Sequence, residues 1–208
     1  MIRLSYYTGG IAETNGWVLA TEAGTLVIDA PEGMAEWLEQ QQIKPVALLL
    51  THQHFDHVLD AARIKREHGC PIYAFADYSK DLTLETLLPA AASMGFAVEP
   101  YQVDEVLEGQ KSVEIAGIPW RLFHVPGHSP DSLCYYSEAD GLLFGGDVLF
   151  AGSVGRTDFP GGSGELLLTG IVRKLFTLPD QVRVFPGHGP ETTIGIEKEE
   201  NPYLQGLG

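Results

Sequence analysis

The chain has 208 residues, of which 44% are hydrophobic, and a formal net charge of −15. This length and hydrophobic content suit a globular protein with its own core, so we predict a single domain over residues 1–208. The negative charge argues against binding to nucleic acid or to an anionic membrane. The N-terminus shows no secretory signal and no apolar run reaches transmembrane length, which predicts a cytoplasmic protein.

Strand and helix signals alternate along the chain. In the first half, strands are predicted at 2–7, 15–21, 25–29, 46–50 and 71–74, and helices at 34–42, directly after Asp56 as a candidate N-cap, and over 79–95. In the second half, strands are predicted at 112–115, 119–124, 132–137, 142–145 and 182–185, and helices at 165–177 and 196–201. Two sheets covered by helices would bury these apolar runs and collect polar residues at one edge.

Three of the seven histidines lie in the run Thr51-His52-Gln53-His54-Phe55-Asp56-His57, directly after an apolar strand. Four polar groups packed together at a strand end are costly unless something satisfies them, and a bound cation is the obvious candidate. His52 and His54 alternate along the chain, so an extended backbone points both side chains the same way. Asp56 and His57 lie beyond them and can face a second ion.

Three further apolar strands run into turns that carry His or Asp beside glycine: Pro126-Gly127-His128, Gly145-Gly146-Asp147 and Pro186-Gly187-His188. Glycine lets the backbone turn sharply and approach a site closely. We expect His128 to complete a set of three histidines with the first two of the loop, and His188 to join Asp56 and His57. The two oxygens of Asp147 can bridge both ions, which lie about 3.5–4 Å apart in two-metal sites.

The pattern His-x-His-x-Asp-His at 52–57, followed by His128, Asp147 and His188, resembles the complete ligand set of the metallo-β-lactamase superfamily. The resemblance spans residues 51–189 and implies an α/β fold, a four-layer αββα sandwich with the metal site at one edge of the two sheets. It implies two divalent metal ions as cofactors. Zinc is the first expectation, and a site of His and Asp without thiolate also accepts iron or manganese.

Two further segments resemble one branch of that superfamily. Residues 152–160, Gly-Ser-Val-Gly-Arg-Thr-Asp-Phe-Pro, are similar to a segment of the glyoxalase II-like (hydroxyacylglutathione hydrolase-like) proteins and of the persulfide dioxygenases. The tail at 187–193, with Glu197-x-x-x-Asn201-Pro202, matches the same group. Glyoxalase II carries a further helical domain that helps to bind glutathione, and we expect this chain to lack it. A glutathione thioester is therefore one candidate substrate among small thioesters.

The leading hypothesis is a metal-dependent hydrolase of small thioesters or esters. A metal-bridging hydroxide would attack the carbonyl carbon, and Asp56 would orient it or carry a proton to the leaving thiolate. Arg156 is a candidate for binding an anionic substrate group, and a structural pair with Asp158 or another of the many acidic residues is the equally weighted alternative. A persulfide dioxygenase with a single iron is the runner-up. A non-catalytic, metal-stabilised binding module comes third, because the ligand set is intact. The oligomeric state is left open.

The remaining histidines and both cysteines are expected to be structural. His68 lies at a predicted helix end and His124 within a predicted strand. Cys70 and Cys134 lie in apolar surroundings, which favours buried free thiols over a disulfide.

Overall fold

The part of the chain that the structure describes forms two six-stranded mixed β-sheets with helices packed on them. The structure is a computed structural model that describes residues 2–87 and 97–207. The chain divides into two compact units, Met1–Gly109 with Ile115–Gly117, and Gln110–Glu114 with Ile118–Gly208. The single domain expected over 1–208 stays a prediction. Within the described residues, no helix has the length and apolar character needed to span a membrane.

The sheet of the first unit has the strand order β1-β2-β3-β4-β5-β6. Its strands are β1 (Arg3–Gly9), β2 (Thr14–Thr21), β3 (Gly24–Ile28), β4 (Pro45–Leu49), β5 (Ile72–Ala74) and β6 (Glu105–Val106). The pairs β1–β2 and β2–β3 are antiparallel, whereas β3, β4, β5 and β6 run parallel. Because β3 and β4 are parallel neighbours, the segments that follow them lie side by side at one edge of the sheet.

Among the residues of this unit that the structure describes, three helices pack on the sheet: α1 (Met34–Gln40), α2 (Phe55–Val58) and α3 (Ala61–His68). α1 and α3 bury apolar side chains at helical spacing against Val27 and Leu48 of the parallel strands, and these side chains are Met34, Ala35, Leu38, Ala61 and Ile64. Each large buried side chain contributes about 1.5–3 kcal/mol relative to exposure. The histidine-rich loop is thereby fixed between β4 and α3.

The sheet of the second unit has the strand order β14-β13-β10-β9-β8-β7. Its strands are β7 (Ser112–Ile115), β8 (Ile118–His124), β9 (Leu133–Ser137), β10 (Leu142–Gly146), β13 (Arg183–Pro186) and β14 (Thr192–Thr193), and a separate hairpin is formed by β11 (Leu149–Phe150) and β12 (Ser153–Val154). β9 is antiparallel to β8 and to β10, and β13 is parallel to β10. Consequently β8, β10 and β13 all point the same way, and the turns after them meet at one edge.

The helices of the second unit are α4 (Gly164–Gly170), which continues as a π-helical turn (Ile171–Leu175), and α5 (Ile194–Glu200). Side-chain hydroxyls cap both α-helices: Ser163 accepts from the Leu166 amide, and Thr193 accepts from the Ile196 amide. The start of α4 packs on the turn before His128. A Cβ at Gly127 would lie 2.5 Å from the Leu167 nitrogen, so only glycine allows this approach.

The predicted α/β fold class is confirmed. Each predicted strand is present, displaced by a residue or two at its ends, and the predicted helices at 34–42 and 196–201 correspond to α1 and α5. The helix predicted at 165–177 is present, with its second half wound as the π-helical turn. The two-residue strands β6, β11, β12 and β14 were not predicted, because two residues are too few for a periodic signal.

Two local predictions are wrong. The helix expected over 79–95 is not helical at 79–87, where the chain forms turns and Leu84 has a φ of +63°, a left-handed conformation that a helix excludes. The remainder of that prediction lies outside the described residues. Asp56 does not cap the helix that follows the loop. It lies in the first turn of α2, while Asp60 precedes α3.

Candidate functional site

The histidine-rich loop leaves β4 and packs its imidazoles against one another. The side chains of His52, His54 and His57 are buried, with 1%, 3% and 0% exposure. The His52 ring lies 4.6 Å from the His54 ring and 4.1 Å from the His57 ring, measured between centroids. Ligand atoms of His52 and His57 lie within 4.8 Å of each other, as do those of Asp56 and His57. The first unit thus brings together all four predicted ligands of this loop.

A buried carboxylate that sequence reasoning missed, Asp29, holds this loop in place. Its Oδ1 accepts a hydrogen bond from the Thr51 amide at 2.8 Å, and its Oδ2 accepts from the Thr51 hydroxyl at 2.7 Å. Oδ2 also lies 2.9 Å from Nδ1 of His57. A carboxylate there keeps the proton of His57 on Nδ1, which makes Nε2 the basic nitrogen available to a metal ion. The only sequence signal was an Asp as the last residue of the strand predicted at 25–29.

Gln53, between the two alternating histidines, points to the other side of the loop and anchors it. Its amide oxygen accepts from the Tyr101 hydroxyl at 2.9 Å, and its amide nitrogen donates to the carbonyl oxygens of Ala76 and Asp77 at 3.0 and 3.3 Å. Because a buried amide must satisfy both its donors and its acceptor, these contacts select one loop conformation. Gln53, the residue between His52 and His54, therefore anchors the loop through its own hydrogen bonds.

Asp56 is oriented by a hydroxyl from the sheet. Thr14, the first residue of β2, donates to Oδ2 of Asp56 at 2.7 Å, and Nε2 of His57 lies 3.5 Å from the same oxygen. Two ligands of one tetrahedral ion, each bound at about 2.0–2.1 Å, lie about 3.3 Å apart. The separation of Asp56 and His57 is close to that spacing.

In the second unit the side chains of three turns lie close to one another. Oδ2 of Asp147, which follows β10, lies 3.4 Å from Nε2 of His128 and 3.3 Å from Nε2 of His188. His128 and Asp147 are buried, whereas the His188 side chain keeps 27% exposure and meets the Phe150 ring edge-on at 6.1 Å. Nδ1 of His128 lies 2.8 Å from the carbonyl oxygen of Arg156, so it donates there and Nε2 is the basic nitrogen.

The segment 153–157 passes so close to these ligands that it requires a glycine. A Cβ at Gly155 would lie 1.9 Å from the backbone oxygen of Asp147 and 3.1 Å from Cβ of His128. The motif that carries Arg156 therefore has a structural reason: the backbone must reach His128 to offer its carbonyl oxygen.

The Arg156 side chain pairs with Asp158. Its Nε and one terminal nitrogen donate to the two carboxylate oxygens at 2.6 Å each, and the guanidinium lies 4.2 Å from the Phe159 ring centroid. Both side chains are more than half exposed, and the hydrogen bond from Arg156 lowers the pKa of Asp158 to about 2. Arg156 therefore forms the ion pair with Asp158 that was the structural alternative. That Arg156 also contacts a substrate stays a prediction.

The other histidines and the thiols take structural places. Nε2 of His124 lies 2.8 Å from the Pro130 carbonyl oxygen, and His68 ends α3. Cys70 and Cys134 are buried free thiols, and burial raises the pKa of Cys134 to about 12. Neither cysteine is a reactive thiolate.

The donor atoms of each unit fit a divalent ion. Imidazole nitrogen and carboxylate oxygen suit zinc, iron and manganese, and an oxygen acceptor beside Nδ1 fixes the tautomer of one histidine in each unit. That all seven residues serve one pair of ions stays a prediction.

Comparison with known proteins places the chain. The model of the metallo-β-lactamase superfamily matches residues 9–188. The probable metallo-hydrolase YqgX of Bacillus subtilis is 35% identical over 95% of each chain, and the hydroxyacylglutathione hydrolase GloC of Haemophilus influenzae is 36% identical over 88% of each.

Solved structures agree with this assignment. The BLEG-1 B3 metallo-β-lactamase superposes with a TM-score of 0.85 at 35% identity, covering 98% of this chain and 100% of that one. The protein TTHA1623, solved in a di-iron-bound form, superposes with a TM-score of 0.80 at 35% identity, covering 96% and 100%. The family match, the sequence relatives and the fold agree, and the chain belongs to the metallo-β-lactamase superfamily.

Proposed function

We propose that this chain is a metal-dependent hydrolase of small thioesters or esters that binds two divalent ions. His52, His54 and His128 would hold one ion, Asp56, His57 and His188 would hold the other, and Asp147 would be the ligand shared by both. The observation that carries the proposal is the place of Oδ2 of Asp147, 3.4 Å from Nε2 of His128 and 3.3 Å from Nε2 of His188. These histidines are assigned to different ions, and a bridging ligand has to lie within reach of both.

When bound, two such ions lower the pKa of a shared water and stabilise the charge that develops during attack on a carbonyl. The side chains of the protein supply orientation and proton transfer. The Thr14 hydroxyl holds the Asp56 carboxylate through Oδ2, so that the carboxylate can accept a proton and deliver it to the leaving thiolate. Asp29 keeps the His57 proton on Nδ1 and away from the metal-binding nitrogen.

The thioester class is supported by the likeness to hydroxyacylglutathione hydrolase GloC. We take a glutathione thioester as the first substrate to test. Its carboxylates could pair with the exposed Arg156 guanidinium, where they would compete with Asp158. Zinc is the proposed metal, and the di-iron form of TTHA1623 supports iron as the alternative. The cytoplasmic location and the small-molecule partner belong to the same proposal.

The test combines metal counting with a substrate panel. Protein purified without added metal is analysed for zinc, iron and manganese, and is then assayed on S-lactoylglutathione, a simple acyl thioester, an aryl ester and a β-lactam. Asp56→Asn is the site variant. Glu22→Gln, at the exposed turn between β2 and β3, is the matched control for the loss of one carboxylate.

We expect two metal ions per chain, thioester turnover by the wild type and by Glu22→Gln, and a large loss in Asp56→Asn. Removing one group that acts in proton transfer typically costs about 10²–10⁴-fold in rate. Thioester turnover equal in Asp56→Asn and wild type would contradict the proposal. One iron per chain with oxygen uptake on glutathione persulfide would replace it with the dioxygenase alternative.

A further inference from the structure

A buried carboxylate in the second unit, Glu197, contacts the segments that carry the metal-ligand residues of that unit. Its side chain is 1% exposed and lies on α5. Oε1 accepts a hydrogen bond from the Thr192 hydroxyl at 2.6 Å. Oε2 accepts from the Gly152 amide at 3.0 Å and from the Asn201 side-chain amide at 2.8 Å. A buried carboxylate is tolerated only where donors satisfy it, and here they come from three segments.

One of these segments is the return of the chain after His188. Thr192 lies in β14, where it pairs with Val184 of β13. The loop between His188 and Thr192 is therefore closed at its far end by the bond to Glu197. This bond limits how far His188 can move, because few residues separate the two positions.

The second segment is the hairpin of β11 and β12. Asp147 lies shortly before β11, and Gly155 and Arg156 directly follow β12. Glu197 holds the turn of this hairpin through the Gly152 amide, and Asn201 donates to the Ser153 carbonyl oxygen at 3.0 Å. The hairpin therefore connects Asp147 to Arg156, whose carbonyl oxygen accepts the hydrogen bond from Nδ1 of His128.

We propose that Glu197 is a positioning residue of the metal centre, acting on His188 through Thr192 and on Asp147 and His128 through the β11–β12 hairpin. The inference rests on the proposed function, since it assumes that these residues bind metal. Glu197 contacts none of the ligand side chains by the hydrogen bonds described above. Its effect is to fix three backbone segments relative to one another, so that the ligand atoms keep their spacing.

The experiment measures Zn²⁺ affinity by competition with a chromophoric chelator, on full-length folded protein. The deletion is Glu197→Ala and the conservative variant is Glu197→Gln, whose amide oxygen can accept from Gly152 and whose amide nitrogen can donate to the Thr192 hydroxyl. The matched control is Thr193→Ala, which removes the N-cap of the same helix without touching the hairpin. Circular dichroism establishes that each variant is folded.

We expect Glu197→Ala to weaken Zn²⁺ binding about tenfold. This is the lower end of the range for groups that orient metal ligands without binding the metal themselves. Glu197→Gln and Thr193→Ala should stay close to wild type. Equal affinity in Glu197→Ala and wild type, or an equal fall in Thr193→Ala, would overturn the inference while leaving the hydrolase proposal intact. A wild type that binds no Zn²⁺ would overturn both.

If Glu197→Ala does not fold, Thr192→Val decides the matter, because it removes one of the three hydrogen bonds and keeps the size of the side chain. A severalfold loss of Zn²⁺ affinity supports the inference, and an unchanged affinity overturns it.

Discussion

Replacing Asp29 with Asn should either reverse the tautomer of a metal-binding histidine or break the contact that holds its loop. In the native protein Oδ2 of Asp29 lies 2.9 Å from Nδ1 of His57 and accepts its proton. An Asn in the same rotamer places either an oxygen or an NH₂ group there. If the NH₂ group faces Nδ1, it donates, and the imidazole proton must move to Nε2, the atom that binds metal. If the amide oxygen faces Nδ1, the NH₂ group faces the Thr51 amide, and two donors meet.

Both outcomes have a calculable size. Loss of a hydrogen bond to a buried charged group lowers the free energy of unfolding by about 1.5–3 kcal/mol, and a buried donor left without an acceptor costs about 1–3 kcal/mol. Loss of the group that orients a metal-binding histidine weakens metal binding by about 10–100-fold. Asp29→Asn should therefore lower both stability and Zn²⁺ affinity.

The assay is chelator competition for Zn²⁺, with urea unfolding of the metal-free protein in parallel. Asp60→Asn is the control. The Asp60 carboxylate accepts from the Ala35 amide at 2.9 Å in the same unit, so its loss affects the fold without changing the environment of the His57 ring. Wild-type Zn²⁺ affinity in Asp29→Asn, or an equal loss in Asp60→Asn, would refute the tautomer argument.

Three other variants test separate parts of the structure. Gly155→Ala places a Cβ 1.9 Å from the Asp147 oxygen and should lower the free energy of unfolding in urea by about 3 kcal/mol, whereas Gly145→Ala, with nothing within 4 Å, should change it by less than about 0.5 kcal/mol. The Cys134 thiol has a pKa of about 12 in the fold against 9.0 unfolded, so its stabilisation is complete below pH 9 and is lost as the pH rises through 12. Between these values the stability of wild type should fall relative to Cys134→Ala, and a parallel pH dependence would contradict this. Asp158→Asn releases the Arg156 guanidinium from its ion pair. KM for S-lactoylglutathione should then fall by up to about fivefold, while KM for an uncharged thioester stays constant. Equal changes in KM for both substrates would argue against a contact between Arg156 and a substrate anion.

The ligand candidates were predictable because each one has a local signal. His128, Asp147 and His188 each follow an apolar strand and a glycine, and the histidine loop carries its pattern within one run. These local signals need no knowledge of distant contacts. The strand pairings that bring the side chains to one edge of each sheet are distant contacts, and the structure supplies them.

The groups that hold the ligands could not be predicted in the same way. Asp29 reaches His57 only because β3 and β4 pair in parallel, and the sequence of neither strand predicts the register of that pairing. Glu197 belongs to the motif Glu197-x-x-x-Asn201-Pro202, but its hydrogen bonds to Thr192 and Gly152 depend on how α5 packs on the hairpin. The sequence leaves Arg156 with two roles, binding an anionic substrate group or pairing with an acidic residue, and only the fold shows that Asp158 lies beside it.

The two units fix their histidines with different kinds of hydrogen-bond acceptor, a side-chain carboxylate in one and a backbone carbonyl in the other. His57 donates to the Asp29 carboxylate, and His128 donates to the Arg156 carbonyl oxygen. A charged acceptor draws the Nδ1 proton more strongly, so the tautomer of His57 is held more firmly than that of His128. The carboxylate can be removed by a single substitution. The carbonyl can only be displaced, by changing the packing that holds its backbone, and Gly155 and Glu197 are two positions at which a substitution would do so.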